Sequence, residues 1–214
     1  MSFAADADKV WLDNILADVV SPPLNVGGVS SAPTDLFAVQ NRKAWKAANA
    51  VESRCDFAPN RSKFSRHGGV LAMCVWQKSV CGQTLSAIKS NPDNAELFAQ
   101  ALAALIAEVL GNALSPEVFT VVAPPARRHP ENNFGHAIAR AVARRLGLVA
   151  VCDCAAWHSR QRVNAVINAL YTPTQPHFIV VDDIITTGST FAALKNLFAP
   201  MAKNLSFFAG INNN

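Results

Sequence analysis

The sequence predicts an α/β protein in which helices cover both faces of a mostly parallel β-sheet. Apolar segments of strand length alternate along the chain with longer segments of helical periodicity, an order typical of parallel strands joined by helical crossovers. The chain has 214 residues, of which 50% are hydrophobic, so it can bury one sizeable core. We therefore expect one α/β domain with an added N-terminal region, and no second enzyme domain.

The N-terminal region is less regular than the rest of the chain. We expect residues 1–90 to form an elaboration, or hood, and residues 91–214 to form the core of the fold. Helical spacing of apolar residues predicts an amphipathic helix within residues 9–20, and a short helix is expected around residues 39–51. Glycines, prolines and charges between and after these helices predict loops.

The remaining elements follow from periodicity. Apolar residues recur every three or four positions after Pro92-Asp93 and predict a helix that is buried nearly all round. The Asn212-Asn213-Asn214 end is expected to fray. Besides the functional segment described next, we expect strands at residues 70–76, 118–123, 148–152 and 205–211, and helices at residues 133–146 and 191–203.

The segment from Phe178 to Thr190 carries the clearest functional signal. An apolar run of strand length ends in Asp182 and Asp183, and the turn 186–190 then leads into a helical pattern. A turn rich in hydroxyls and glycine at a helix N-terminus offers hydroxyls, backbone N–H groups and the positive end of the helix dipole to one anion. This chemistry suits a phosphate monoester.

The two adjacent acids indicate what lies beside that phosphate. Asp182 and Asp183 cannot contact a phosphate without repulsion, so we expect them to contact sugar hydroxyls or a hydrated divalent cation, with the Asp183 carboxylate facing the surface. Phosphate, diol and Mg²⁺ together describe a ribose 5-phosphate. The alternative is a buried strand whose acids only cap the next helix, although an adjacent acid pair is costly without a ligand.

The same segment, Phe-Ile-Val-Val-Asp-Asp-Ile-Ile-Thr-Thr-Gly-Ser-Thr, resembles the signature of the type I phosphoribosyltransferases. The resemblance implies a ligand, 5-phosphoribosyl-1-pyrophosphate (PRPP), bound with Mg²⁺, and an enzyme that transfers the phosphoribosyl group to a nucleobase or amine with release of pyrophosphate. It implies that Asp182 and Asp183 are catalytic and hold the ribose hydroxyls, with no direct metal ligand. It also implies a 5′-phosphate site formed by Thr186, Thr187, Gly188, Ser189 and Thr190.

A second candidate element follows the strand at residues 118–123. The chain continues Pro124-Pro125-Ala126-Arg127-Arg128-His129, and ligands of open parallel sheets bind beyond the carboxyl ends of the strands. In the family that the signature resembles, a loop at this place grips the pyrophosphate of PRPP. The resemblance implies that Pro125, Ala126, Arg127 and Arg128 bind pyrophosphate and that Arg128 is catalytic. The alternative is that both arginines are solvated loop charges.

Two further stretches are similar to the ComF-like branch of this family. They are residues 132–139 with 144–148, and the basic stretch 159–164, in which Arg160 and Arg162 are candidate cations of a mobile lid. The alternative for both arginines is a charged surface. Some proteins of this fold have lost catalysis, so the second functional hypothesis is a catalytically silent regulatory or competence-associated protein that binds PRPP.

Thr186 bears on the acceptor. In phosphoribosyltransferases of the hypoxanthine-guanine type, an acid stands three residues beyond the second acid of the signature and shares the purine N7 proton. This chain has Thr186 there, and a hydroxyl does not ionise usefully near neutral pH. We therefore expect hypoxanthine and guanine to be poor substrates.

Composition excludes several other classes. The net charge is +4 without a run of arginines, so nucleic acid is not an expected partner. Five cysteines cannot all pair, and their spacing does not match structural zinc sites, so free thiols are expected. No apolar stretch is expected to span a membrane, and the N-terminus does not resemble a signal peptide, so the expected location is the cytoplasm. Assembly as a homodimer stays open.

Overall fold

The computed structural model describes residues 52–59, 62–126, 133–158 and 166–214. They lie within one compact unit, Val51–Asn214. The helices predicted within residues 9–20 and around residues 39–51 lie outside the described residues. The predicted fold class is confirmed, since a mostly parallel central sheet is flanked by helices.

The elements of the described residues are numbered in chain order. The strands are β1 Arg54–Cys55, β2 Lys63–His67, β3 Val70–Gln77, β4 Gln83–Thr84, β5 Phe119–Val122, β6 Val149–Val151, β7 Ala155–Trp157, β8 Ile167–Ala169, β9 His177–Ile185 and β10 Asn204–Asn212. The helices are α1 Leu85–Ser90, α2 Asp93–Leu110, α3 Phe134–Leu146 and α4 Ser189–Phe198.

The central sheet has six strands in the order β2-β3-β10-β9-β5-β6. Strands β3, β10, β9, β5 and β6 pair in parallel, and β2 joins the edge antiparallel to β3. Two small antiparallel pairs, β1-β4 and β7-β8, stand apart from it. Because β9 and β5 are parallel neighbours, the turns that follow them leave the same edge of the sheet.

Each face of the sheet carries its own core. On one face, α2 and α3 bury Phe98, Leu102 and Ile138 against β9 and β10. On the other face, α4 buries Phe191 and Phe198 in a second cluster. The crossover helices therefore lie on both faces, as parallel β-α-β connections require.

Helix α2 differs from its prediction, because it is buried along one face only. The buried residues recur every three or four positions, whereas Leu97 is 41% exposed. With the following turn, α2 forms a 21-residue stretch, Asp93–Ala113, that is long and apolar enough to cross a membrane, although no such stretch was expected. Its apolar face packs against the sheet and α3, as the core helix of a globular unit does.

Two boundaries at the C-terminal end also differ. Helix α4 ends at Phe198 rather than near residue 203, since Pro200 has no backbone N–H to continue the helical hydrogen bonds. The expected fraying is wrong for Asn212, which is 6% exposed and is the last residue of β10. Its Nδ2 donates to Ser65 Oγ at 3.0 Å and to Gln77 Oε1 at 2.9 Å. Pairing on both edges of β10 orders this end of the chain.

Cys74, Cys152 and Cys154 are buried free thiols, as expected, and Cys81 is an exposed one. Burial raises the pKa of the Cys74 thiol to about 12 and that of Cys154 to about 11. These groups are therefore protonated near neutral pH, which removes the thiolate that reactivity would need.

Candidate functional site

The acid pair lies within β9, before the strand ends at Ile185. Asp183 is 8% exposed, so the expectation that it faces solvent is wrong. Its Oδ2 lies 2.6 Å from Lys89 Nζ in α1, and its backbone N–H donates to Asp182 Oδ1 at 2.8 Å. Asp183 is buried because β9 is a central strand, and Lys89 supplies the opposite charge that a buried carboxylate needs. Sequence reasoning missed Lys89, since it belongs to no motif.

The surroundings of Asp182 disfavour its ionised form. Burial, and then the neighbouring Asp183 carboxylate, raise the pKa of Asp182 well above the ordinary value of 3.8, while the Asp183 N–H and Lys89 oppose the rise. The pair therefore resists holding two negative charges. A protonated Asp182 can donate a hydrogen bond, whereas the Asp183 carboxylate can only accept one.

The N-terminus of α3 lies directly against Asp182. A Cβ added to Gly135 would stand 3.5 Å from Asp182 Oδ1 and 3.3 Å from Asn133 Oδ1. Asn133 caps this helix by accepting a hydrogen bond from the His136 backbone N–H at 2.9 Å. The positive end of α3 therefore faces the acid pair and favours negative charge there. Asn133 and Gly135, at the start of α3, thus lie beside the acid pair.

The turn after β9 leads straight into α4. Gly188 has φ +74° and precedes the first residue of the helix, Ser189. The Thr187 hydroxyl donates to Ser189 Oγ at 3.2 Å and accepts from the Ser189 backbone N–H at 3.4 Å. Thr186, Thr187 and Ser189 are exposed. The turn therefore presents accessible hydroxyls together with the first N–H groups of α4, which have no partner within the helix.

The turn between β2 and β3 packs on the turn after β9. A Cβ on Gly188 would lie 2.4 Å from His67 Cβ and 2.8 Å from His67 O, and a Cβ on Gly68 would lie 3.3 Å from Thr187 O. Lys195 of α4 donates to Gly69 O at 3.4 Å. The sequence carried no signal that paired these two turns, because they are separated by more than a hundred residues.

The candidate pyrophosphate turn begins where β5 ends. Pro124 and Pro125 are buried, and Ala126 is partly exposed. His136 Nε2 of α3 donates to Pro124 O at 3.0 Å, and Trp157 Nε1 of β7 donates to Pro125 O at 2.7 Å. Burial lowers the pKa of His136, which favours the neutral imidazole as the donor. These contacts fix the start of the turn beside β9.

Four predicted site residues cannot be placed. Arg127 and Arg128 lie outside the described residues, as do the candidate lid residues Arg160 and Arg162. Among the residues that are described, no group of three or more His, Cys, Asp or Glu side chains is gathered for a metal. The acid pair and the turn 186–190 are brought together with Lys89, His67 and the N-terminus of α3.

Comparison with known proteins returns neither a matching family model nor a matching curated protein. Among solved structures, the chain is similar to an adenine phosphoribosyltransferase at 16% identity, covering 71% of this chain and 84% of that one, with a TM-score of 0.44. It is also similar to a hypoxanthine-guanine phosphoribosyltransferase from Bacillus anthracis, with 19% identity, 58% and 80% coverage and a TM-score of 0.38. For adenine phosphoribosyltransferase from Saccharomyces cerevisiae, identity is 16%, the coverages are 79% and 89%, and the TM-score is 0.40.

Proposed function

We propose that this protein is a phosphoribosyltransferase. It binds PRPP with Mg²⁺ and transfers the 5-phosphoribosyl group to a nucleobase or an amine, with release of pyrophosphate. One observation carries the proposal: an acid pair in a central parallel strand is followed, after two apolar residues, by a hydroxyl-rich turn with a left-handed glycine at the start of a helix. In this proposal the turn is the anion site and the acid pair is the diol site.

The anion site would hold the 5′-phosphate. Its donors are the hydroxyls of the turn 186–190 and the N–H groups at the start of α4, among which the Ser189 N–H also contacts the Thr187 hydroxyl. Helix α4 has no acidic residue in its first turn, so nothing there opposes a negative ligand. A phosphate monoester fits this set better than a carboxylate, since it can accept more hydrogen bonds.

The diol site would hold the ribose 2′- and 3′-hydroxyls. A sugar hydroxyl both donates and accepts, and the unequal acids match that requirement. Asp182, whose pKa is raised by burial and by Asp183, can donate to one hydroxyl, while the Asp183 carboxylate accepts from another. The Asp183 carboxylate lies 2.6 Å from Lys89 Nζ. With the ribose bound there, a negative charge on the acid pair would favour the positive charge that develops at C1.

The acid pair fits an Mg²⁺ ion that is coordinated by PRPP and water and not directly by the protein. Carboxylate oxygens and water are ligands that Mg²⁺ prefers. However, Asp183 is already paired with Lys89, and the raised pKa of Asp182 weakens it as a direct ligand. When bound, the ion would neutralise charge on the leaving pyrophosphate.

The chemistry that remains for the protein is mostly positioning. Displacement of pyrophosphate builds positive charge on the sugar and releases a highly charged group, so catalysis needs alignment, cations and the exclusion of water. Pro125, Ala126, Arg127 and Arg128 are proposed as the pyrophosphate grip, with Arg160 and Arg162 as lid cations. The buried prolines and their bonds to His136 and Trp157 support a fixed start for that grip.

The experiment that tests the proposal is incubation of the protein with Mg²⁺, PRPP and a panel of nucleobases and amines, with pyrophosphate release as the readout. Asp93→Asn is a matched control, because Asp93 is an exposed acid at the start of α2, on an element other than β9. Release that depends on one acceptor and persists in this control supports the proposal. A protein that binds neither PRPP nor ribose 5-phosphate would contradict the proposal.

The ion pair between Lys89 and Asp183 favours a second candidate function. PRPP would have to compete with Lys89 for the Asp183 carboxylate, and a site stabilised by its own cation can bind a ligand without turning it over. The second candidate is therefore a regulatory or competence-associated protein that senses PRPP. Tight PRPP binding without pyrophosphate release, for every acceptor in the panel, would support it.

Arg128→Ala is expected to weaken the binding of PRPP and of pyrophosphate together, by about tenfold or more, and to leave ribose 5-phosphate binding nearly unchanged. The reason is that the arginine is assigned to the leaving group alone. Calorimetric titration with the three ligands measures this. Equal weakening of ribose 5-phosphate would place Arg128 in the 5′-phosphate site or in the scaffold.

Hypoxanthine and guanine are expected to be poor acceptors. Thr186 is exposed at the position where an acid would share the purine N7 proton, and its hydroxyl does not ionise near neutral pH. The base panel measures this directly. Efficient formation of the guanine nucleotide would contradict the prediction and would require a base from a part of the chain outside the described residues.

A further inference from the structure

The turn His67-Gly68-Gly69 is built into the candidate phosphate site. His67 packs so closely on Gly188, the residue before α4, that a Cβ added to Gly188 would overlap the Cβ of His67. Gly68 likewise lies close to Thr187 O. Lys195 Nζ of α4 donates a hydrogen bond to Gly69 O. A second chain segment therefore contacts the candidate phosphate turn and the helix that follows it.

His67 is buried but not satisfied. Its residue is 4% exposed, and its Nε2 has no hydrogen-bond partner among the described residues. A buried imidazole nitrogen without a partner is costly, so such a group in a native protein calls for an explanation. The Cβ that carries this imidazole lies against Gly188 at the start of α4.

The surroundings indicate an acceptor as the missing partner. A neutral imidazole can donate through Nε2, and the turn beside it collects further donors, namely hydroxyls and the N–H groups at the start of α4. Two other buried atoms in the described chain also lack partners, Asn212 Oδ1 and Asn213 Oδ1. Both are acceptors, so they suit water or a ligand hydroxyl and not a phosphate oxygen.

We propose that His67 is a further phosphate-binding residue, whose Nε2–H donates to the phosphate group held by the turn 186–190. This inference rests on the proposed function, in which that phosphate is the 5′-phosphate of PRPP. It adds a ligand-binding group from β2, a strand that precedes the signature by more than a hundred residues. His67 thus links the edge of the sheet to the ligand.

The test compares two substitutions at His67 with one at its neighbour. His67→Phe keeps an aromatic ring and removes Nε2, whereas His67→Gln restores an amide N–H near that position. Arg66→Gln is the matched control, because Arg66 lies on the same strand and is exposed. The probes are ribose 5-phosphate, inorganic phosphate and unphosphorylated ribose, titrated by calorimetry into each folded variant.

We expect His67→Phe to bind ribose 5-phosphate and inorganic phosphate about tenfold or more weakly. His67→Gln and Arg66→Gln should stay within a few-fold of the unsubstituted protein, and ribose should be insensitive to all three changes. Wild-type affinity for both phosphate probes in folded His67→Phe would overturn the inference. If the protein binds inorganic phosphate but not ribose 5-phosphate, the proposed function fails, while the phosphate arm still decides the role of His67.

A second measurement covers the case in which His67→Phe does not fold. In ¹⁵N-histidine-labelled protein, the Nε2 resonance of His67, assigned with His67→Gln, should shift when ribose 5-phosphate is added and should not shift with ribose. An unchanged Nε2 resonance at saturating ribose 5-phosphate overturns the inference. A protein that binds neither phosphate probe overturns the inference and the proposed function together.

Discussion

Gly188→Ala is expected to lower the free energy of unfolding by more than about 2 kcal/mol and to abolish ribose 5-phosphate binding. The new Cβ would lie 2.4 Å from His67 Cβ and 2.8 Å from His67 O, so backbone must move to admit it. The φ of +74° adds strain for any residue with a side chain. From the sequence alone, a larger residue at Gly188 would be expected to block the phosphate and leave the fold intact. Because Gly188 also packs on His67, we expect a substitution there to reduce stability as well as binding.

Gly147→Ala is the matched control for this prediction. Gly147 also has a left-handed backbone, with φ +68°, but a Cβ there meets nothing within 4 Å. It should therefore show the backbone strain alone, about 1–2 kcal/mol. Chemical denaturation of both variants separates strain from collision. If the two substitutions destabilised the protein equally, the close packing of His67 on Gly188 would be contradicted.

Asp182→Asn is expected to reduce kcat/KM by about 100-fold and to stabilise the protein near neutral pH. The activity falls because the amide, although it can donate to a ribose hydroxyl, carries no negative charge to favour the positive charge that is proposed to develop at C1. The stability rises because burial and the Asp183 carboxylate make ionisation of Asp182 costly in the folded state. A carboxyl group that resists ionisation destabilises the fold wherever it is forced to ionise.

The pH dependence has a definite sign. The folded-state pKa of Asp182 is raised above the ordinary value of 3.8, so the folded protein holds this proton to a higher pH than the unfolded chain does. The associated stability is fully present below the unfolded pKa and is lost as pH rises through the folded pKa. Asparagine has no such proton, so Asp182→Asn should gain stability relative to the unsubstituted protein across this interval.

Denaturation midpoints measured from acid to neutral pH test the expectation, with Asp93→Asn as the control. Asp93 lies exposed in the first turn of α2, where a negative charge is favourable, so its substitution should give no such gain. A gain for Asp182→Asn that is the same at every pH would contradict the assigned cause. Unchanged activity in this variant would favour the alternative in which the acids only serve the scaffold.

Much of the central fold was predictable, because it depends on local periodicity. The predicted strands at residues 70–76, 118–123, 148–152 and 205–211 correspond to β3, β5, β6 and β10 to within one or two residues. Alternation of strands and helices then predicted a parallel sheet with helices on both faces. The one-sided burial of α2 was not predictable, since composition does not say which residues of an apolar helix meet the sheet.

The candidate site was predictable only in its continuous part. The acid pair and the turn 186–190 follow one another in the chain, so their chemistry could be read directly from the sequence. The exposure of Asp183 was predicted wrongly, because the acids were taken to follow the strand, whereas β9 continues to Ile185. A carboxylate inside a central strand is buried by its neighbours, and its charge then requires a partner from elsewhere in the fold.

The sequence by itself determined the class of fold, the acid pair and the hydroxyl-rich turn, because each depends on residues that are neighbours in the chain. Only the tertiary structure decided that Lys89 pairs with Asp183, that Gly135 faces Asp182 and that His67 lies against Gly188. These contacts join segments that are tens to more than a hundred residues apart. Such contacts depend on how strands are ordered in the sheet and where helices cross it, and the pattern of a single segment does not record either.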